Sequence, residues 1–168
     1  MIEIKIKNKR KITKYTLKKA SEHIYYEVLM FNQTLELLIQ KKPQIEINIL
    51  LDSFAIHARN LLDFFYPKDS ARIDDLLVFD FIDKLFYYNR NKTKKKELIF
   101  ISRKVDKQVA HLTYTRNRYN QNTKAWPFVD ISRKINKTLK AFYYSLPDSY
   151  KNWRYFQELK KVIDLLNL

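Results

Sequence analysis

The stretch that decides the fold runs from Leu17 to Leu38 and reads LKKASEHIYYEVLMFNQTLELL. Its apolar side chains recur every three or four residues, a spacing that places them on one stripe of an α-helix. These positions are Leu17, Ala20, Ile24, Val28, Phe31, Leu35 and Leu38. The stripe predicts a long amphipathic first helix that ends before Pro43.

The segment after Pro43 continues with helical spacing until Pro67 stops it. Proline suits the first turn of a helix, because its missing N–H would have no partner there. The apolar positions are Ile47, Leu50, Leu51, Phe54, Ala58, Leu61, Leu62 and Phe65. Because the join to the first helix is short, the two helices should form an antiparallel pair.

The middle of the chain is less regular. From Ser70 to Asn91 the pattern loosens, and Asp74 or Asp75 is expected to cap a short helix through Leu85. Residues 89–96 form a basic loop. A further helix is predicted from Leu98 to about Arg118, with an apolar stripe of Leu98, Ile101, Val105, Val109 and Leu112.

The last third of the chain predicts an exposed loop over 117–126 and then two helices. Asp130 is expected to cap the first of them, and Pro147 ends it. Its stripe is Ile131, Ile135, Leu139, Phe142 and Leu146. Asp148 or Ser149 opens the final helix, whose apolar positions are Trp153, Phe156, Leu159, Ile163 and Leu166.

Composition supports one all-α domain. The 168 residues include no glycine, which argues against phosphate-binding loops and dinucleotide-binding turns, since both require it. The absence of cysteine excludes disulfides, thiolate nucleophiles and cysteine-type zinc sites. We therefore predict a single-domain bundle of five or six helices over residues 1–168. Residues 1–13 form either a short strand or a basic arm.

The net charge of +15 is unevenly distributed along the chain. Residues 44–83 carry a net charge of −5, whereas residues 84–140 carry +13. Such a field attracts polyanions, so nucleic acid, with RNA favoured, is the leading partner class. An acidic protein or an anionic membrane surface is the second partner class, and a solvated face in a lysine-rich chain is the plain alternative.

Compartment and membrane association follow from the apolar runs. Residues 1–17 contain no continuous apolar segment typical of a signal peptide. The longest apolar run, residues 45–65, is interrupted by charged side chains and is not expected to span a membrane. We therefore expect a cytoplasmic protein without a membrane segment.

His57 lies beside the apolar stripe of the second helix. A hydrogen-bonded histidine at the edge of the core is the commoner explanation for such a position. Asp52, Arg59 and Asp63 fall on the neighbouring face, and Arg59 can pair with Asp63 one turn later. From the sequence, this group is either a site or a structural network.

His111 is the best candidate for chemistry, in the segment RKVDKQVAH from Arg103 to His111. It lies off the apolar stripe, and Lys104 and Lys107 share its face of the helix. Cations disfavour a protonated imidazole and can hold a phosphate group. A metal-independent ribonuclease needs these two components, a general acid or base and cations that stabilise the transition state.

An all-helical bundle with a basic residue followed by a histidine on a late helix resembles the HEPN superfamily. Its motif is an arginine, a polar residue and, a few residues later, a histidine. By matching position, His111 is the catalytic histidine and Lys104 stands where the family has arginine, since Arg103 is one residue too distant. The resemblance implies a ribonuclease of a toxin-antitoxin or defence system and a homodimer with a composite site.

The expected substrate-binding residues extend the positive surface around this motif. They are Arg103, Lys107, Arg116, Arg118 and Lys124. No metal or organic cofactor is implied. Two other functions remain open: a non-catalytic module that binds nucleic acid or protein, and a scaffold whose acidic second-helix region contacts the basic half of another copy.

Overall fold

A computed structural model describes residues 12–67, 71–82, 98, 100, 101, 104, 105, 114, 117 and 126–166 of the chain. Within these residues the structure is all-α, as predicted, with no β-strand. The elements are α1 (Lys14–Leu38), α2 (Gln44–Phe65), a 3-10 helix (Val78–Asp80), α3 (Phe128–Ser145), α4 (Asp148–Lys151) and α5 (Arg154–Leu165). The predicted N-terminal arm and the basic loop over 89–96 lie outside the described residues.

The first helix, α1, is the centre of the bundle, because it packs against α2, α3 and α5. It begins at Lys14, where the hydroxyl of Thr13 accepts a hydrogen bond from the Thr16 N–H at 3.1 Å. This cap satisfies one of the free donors of the first turn. The predicted stripe is confirmed, since Leu17, Ile24, Val28, Phe31 and Leu38 are buried.

The two long helices form an antiparallel pair, as predicted. Phe31 of α1 stacks on Phe54 of α2, with ring centroids 4.8 Å apart. One turn earlier in α1, Glu27 contacts His57, which lies about one turn later in α2. Residue numbers in α2 increase as those of their contact partners in α1 decrease, which defines an antiparallel arrangement.

The core is built around the ring of Phe142. Four other phenylalanine rings meet it edge to face, with centroid distances of 5.3 to 6.1 Å. They belong to α2 (Phe64 and Phe65), to the segment after the 3-10 helix (Phe81) and to α5 (Phe156). Edge-to-face contacts place the positive ring edge against the negative face of its neighbour, which adds to the hydrophobic effect.

The helix predicted from Leu98 is confirmed at its start. Leu98, Ile101 and Val105 are helical and buried. Val109 and Leu112, the last two positions of that stripe, lie outside the described residues.

A proline directly precedes three of the described helices, α2, α3 and α4. Pro43 and Pro127 are the N-cap residues of α2 and α3, each with backbone angles outside the helical region, so these helices begin one residue later. The predicted cap, Asp130, is instead the third residue of α3, where it pairs with Lys134 at 3.0 Å. A carboxylate in the first turn still interacts favourably with the helix dipole.

The predicted final helix is in fact two helices. The chain leaves α4 at Asn152, and Trp153 has an extended backbone before α5 begins. The Trp153 ring is buried and stacks between Tyr150 and Phe156, at centroid distances of 4.2 and 5.7 Å. Burial of the indole therefore stabilises the break, and the prediction of one continuous helix was wrong.

The short helix expected after Asp74 or Asp75 is not present over residues 71–82. The Asp75 carboxylate accepts the Arg72 N–H at 2.6 Å in a turn, and only the 3-10 helix follows. Aspartate competes with the helix by bonding nearby backbone groups. Val78 and Phe81 are instead buried in the core and belong to a short, irregular segment.

We expect Phe142→Ala to destabilise the fold by about 3–5 kcal/mol, because it leaves a cavity among four aromatic rings. The matched control is Phe100→Ala, since the Phe100 side chain is helical but 68% exposed. The control should cost less than about 0.5 kcal/mol. Urea unfolding followed by circular dichroism measures both, and equal losses would contradict the central role of Phe142.

Candidate nucleic-acid interface

One residue of the sequence-predicted site lies within the described part of the chain, and it is Lys104. The other candidates, His111, Arg103, Lys107, Arg116, Arg118 and Lys124, lie outside the described residues. The geometry of the interface is therefore built from Lys104 and the basic residues of α3.

Lys104 lies against an aromatic ring. Its ammonium group is 4.9 Å from the centroid of the Trp126 ring, within the range of a cation–π interaction. Both side chains are half-buried, and the buried Ile101 and Val105 flank Lys104 on its helix. Partial burial lowers the pKa of Lys104 from its ordinary value. The pair thus forms a cationic, aromatic unit at the surface.

The solvent face of α3 carries a row of basic side chains. They are Arg133, Lys134, Lys137 and Lys140, whose spacing of three and four places them opposite the buried stripe. Asp130 pairs with both Arg133 and Lys134, at 3.7 and 3.0 Å. The row carries four positive charges, and within the described part of the chain Asp130 is the carboxylate that forms ion pairs with it.

The Lys104–Trp126 unit and this row are close in the chain. Trp126 lies two residues before Phe128, the first residue of α3, and its carbonyl accepts the Phe128 N–H at 2.8 Å. The unit therefore lies at the N-terminal end of α3, and the first cation of the row, Arg133, follows Trp126 by seven residues. We group these residues under the name basic face, defined as Lys104, Trp126, Arg133, Lys134, Lys137 and Lys140.

His57 is a hydrogen-bonded histidine at the edge of the core, which is the commoner explanation for its position beside the apolar stripe. Its Nδ1 is 2.7 Å from Oε2 of Glu27, and Asn60 donates to the same oxygen at 3.2 Å. The His57 side chain is only 11% exposed, and the Tyr26 ring meets it edge-on at 5.8 Å. The cluster ties α1 to α2.

The acidic and basic neighbours of His57 lie elsewhere. Arg59 pairs with Asp63 at 3.6 Å, as predicted from their spacing, and Asp52 is exposed. The partner of the imidazole is the α1 carboxylate of Glu27. The described geometry therefore supports a structural network rather than a site at this face.

A groove of about 480 Å³ lies between the end of α2 and residues 71–77. Arg59, Asp63, Arg72 and Asp75 give its walls charges of both signs. Such a mixture favours no particular ionic ligand, and we assign the groove no function.

The described residues contain neither a metal-binding cluster nor a membrane-spanning helix. These residues contain no group of three or more histidine, aspartate or glutamate side chains that could hold a metal ion. Nor does any helix among them combine the length and apolar character that crossing a membrane requires.

Comparison with known proteins gave no match: no protein-family model, no curated protein and no solved structure is similar to this chain. The resemblance to the HEPN superfamily therefore stays a proposal that rests on the residues of this chain.

Sequence reasoning did not identify the residues that contact His57 and Lys104 in the structure. Glu27 follows the buried Ile24 by three residues, a position at the edge of the stripe that indicates a half-buried carboxylate. Trp126 stands next to Pro127, but no local rule connects it with Lys104, which lies 22 residues earlier. The first partner had a weak signal in the sequence, and the second had none.

We expect Glu27→Ala to destabilise the protein by about 1–3 kcal/mol, because His57 and Asn60 lose their shared acceptor. Glu36→Ala is the matched control, since Glu36 is an exposed glutamate on the same helix. Thermal and urea unfolding of both variants at pH 7 measure the difference. A loss no larger than that of the control would show that the Glu27 contact is not stabilising.

A double-mutant cycle tests the contact between Lys104 and Trp126. We expect Lys104→Met and Trp126→Leu to be non-additive by about 0.5–1 kcal/mol, the usual strength of a partly exposed cation–π pair. Urea unfolding of the two single variants and the double variant gives the coupling energy. Strict additivity would mean that the ammonium and the indole do not interact in solution.

Proposed function

We propose that this protein binds RNA through the basic surface of residues 90–140 and cleaves it without a metal ion. The observation that supports binding is the basic face. In it the Lys104 ammonium lies over the Trp126 ring, and Trp126 precedes the helix α3 that carries the other cations. This face belongs to the segment with the highest net charge in the chain, +13 over residues 84–140.

Electrostatics supports a polyanion as the ligand. Each lysine or arginine that contacts a phosphate releases a counterion, so binding is strong at low salt and falls steeply as salt rises. An acidic protein offers fewer regularly spaced charges than a nucleic acid does. A row of cations at helical spacing fits the repeated phosphates of a strand.

Single-stranded RNA fits the combination of cations and an aromatic ring. Unpaired bases stack on aromatic side chains while cations follow the phosphates. Trp126 is half-buried beside Lys104, so a base can lie at the edge of the indole near a positive charge. Arg103, Lys107, Arg116, Arg118 and Lys124 are proposed to extend this contact.

Cleavage is proposed from the HEPN-like motif. His111 acts as the general acid or base at the 2′-hydroxyl or the leaving oxygen, and Lys104 stabilises the charge on the phosphorus oxygens. Lysine supplies a point charge where the family has a bidentate arginine, so we expect slow turnover. The same motif leads us to propose a homodimer with a composite site, acting in a toxin-antitoxin or defence system.

A non-catalytic RNA-binding module is the second candidate function. The position of Lys104 over Trp126 favours it, because a cation held against an indole supports stacking and charge attraction without bidentate contact to phosphate.

The test is incubation of the protein with a mixed pool of single-stranded and structured RNA in the presence of EDTA. We expect the wild-type protein to retain and cleave RNA, and His111→Ala to retain it without cleavage. His23→Ala, which changes an exposed histidine of α1, is the matched control and should cleave normally.

Each outcome separates the candidates. Cleavage by His111→Ala at the wild-type rate would refute the ribonuclease mechanism. Retention without cleavage by any variant would leave the binding module. The variant Arg133→Gln, Lys137→Gln, Lys140→Gln should weaken retention and flatten its salt dependence. No retention by the wild type at low salt would exclude RNA as the partner.

A further inference from the structure

A second surface of basic and tyrosine side chains lies where the start of α1 meets α4 and α5. The Lys14 ammonium is 5.7 Å from the centroid of the Tyr150 ring, and the Tyr25 and Tyr155 rings are 6.0 Å apart. These contacts bring residues from the two ends of the chain together. The α1–α5 surface is defined as Lys14, Tyr15, Lys18, Lys19, Tyr150 and Arg154.

Cations and rings alternate across the α1–α5 surface. The Lys19 ammonium lies 4.8 Å from the Tyr15 ring centroid, and the Arg154 guanidinium lies 5.5 Å from that of Tyr155. Tyr15 is 67% exposed, so its ring faces solvent. The surface therefore presents π-faces next to positive charges, as surfaces that bind single strands do.

One of these rings is rigidly supported. Tyr150 stacks on Trp153 with an interplanar angle of 22°, and Trp153 stacks on Phe156 with an angle of 11°. Phe156 is fully buried in the core. Because the column is fixed at its base, Tyr150 needs little ordering to accept a further ring, which lowers the entropic cost of stacking.

The neighbouring carboxylates already have partners. Asp148 pairs with Lys151 at 3.0 Å and Glu158 with Lys161 at 2.8 Å. Glu22 accepts a hydrogen bond from the Tyr155 hydroxyl, and this bond raises the pKa of Tyr155.

No such neutralising partner is found within the described part of the chain for the four cations of the α1–α5 surface. Among the described residues no carboxylate forms an ion pair with Lys14, Lys18, Lys19 or Arg154. The charge available to a phosphate strand is therefore concentrated at the start of α1.

We propose that the α1–α5 surface is a second binding site for single-stranded nucleic acid. Bases stack on Tyr15 and Tyr150, and Lys14, Lys18 and Arg154 contact the phosphates. The inference takes its ligand class from the proposed function but shares no residue with the basic face. Either surface can consequently fail without the other.

The test measures binding of a fluorescent oligothymidine of about 20 nucleotides, a length that spans more than one contact region. The probe lacks a 2′-hydroxyl and so cannot be cleaved by the His111 mechanism. Fluorescence anisotropy is recorded at about 50 mM salt, where phosphate contacts contribute most. The full chain is used throughout.

The charge variant is Lys14→Gln, Lys18→Gln, Arg154→Gln. Its matched control is Lys41→Gln, Arg72→Gln, Lys161→Gln, which removes the same charge from exposed positions elsewhere. We expect the first to weaken binding on the order of tenfold or more, and the control on the order of threefold or less. Equal effects would overturn the proposal, since only net charge would then matter.

Tyr15→Leu tests stacking at an exposed position, where the substitution should not disturb the core. We expect on the order of tenfold weaker binding of the single strand and an unchanged affinity for a DNA duplex of equal length, whose bases are already stacked. An unchanged single-strand affinity would remove Tyr15 from the site and contradict the proposed mode of binding.

Two further outcomes separate this inference from the proposed function. Loss of binding only in Arg133→Gln, Lys137→Gln, Lys140→Gln would overturn the second site and leave the basic face in place. Loss only in the α1–α5 variant would support the second site and count against the basic face. If the α1–α5 variant loses binding to phosphatidylserine vesicles but not to oligothymidine, the surface is a membrane contact and the inference is wrong.

Discussion

The fold depends on the packing of phenylalanine rings around Phe142. This cluster joins α2, the segment after the 3-10 helix, α3 and α5 in a chain that has no disulfide to assist it. The same packing continues outward, because Phe156 supports Trp153 and Trp153 supports Tyr150. A continuous series of aromatic contacts thus links the core to the surface. The orientation of the α1–α5 surface therefore depends on the stability of the core.

Helix positions could be predicted from the sequence because an amphipathic stripe is a local property. The stripes of α1, α2 and α3 predicted their buried residues, and the lack of glycine agreed with a helical fold. The ends were less predictable, because tertiary packing decides them. The break at Trp153 exists because a buried indole fills space beside Phe156, and no residue near position 152 is a helix breaker.

Polar contacts between side chains show the same division between local and distant interactions. The Arg59–Asp63 pair could be predicted, because residues four apart meet on any helix. The partner of His57 could not, since Glu27 is 30 residues away and meets it only through the α1–α2 packing. Asn136 of α3 donates a hydrogen bond to Asn32 of α1 at 2.8 Å. This buried contact also had no signal in the sequence. Such polar contacts fix the relative position of helices that hydrophobic packing alone leaves less defined.

The uneven charge of the chain restricts where a phosphate strand can bind. Charges act over roughly 8–10 Å at physiological salt, so the local balance at each surface matters more than the total of +15. Residues 44–83, with a net charge of −5, disfavour a phosphate strand, whereas the cations of α3 and the start of α1 attract one. Attraction over this range brings a strand to a basic surface without selecting a sequence. Selection of unpaired bases then requires contact with a ring, and both basic surfaces place an aromatic side chain, Trp126 or Tyr150, directly against a lysine.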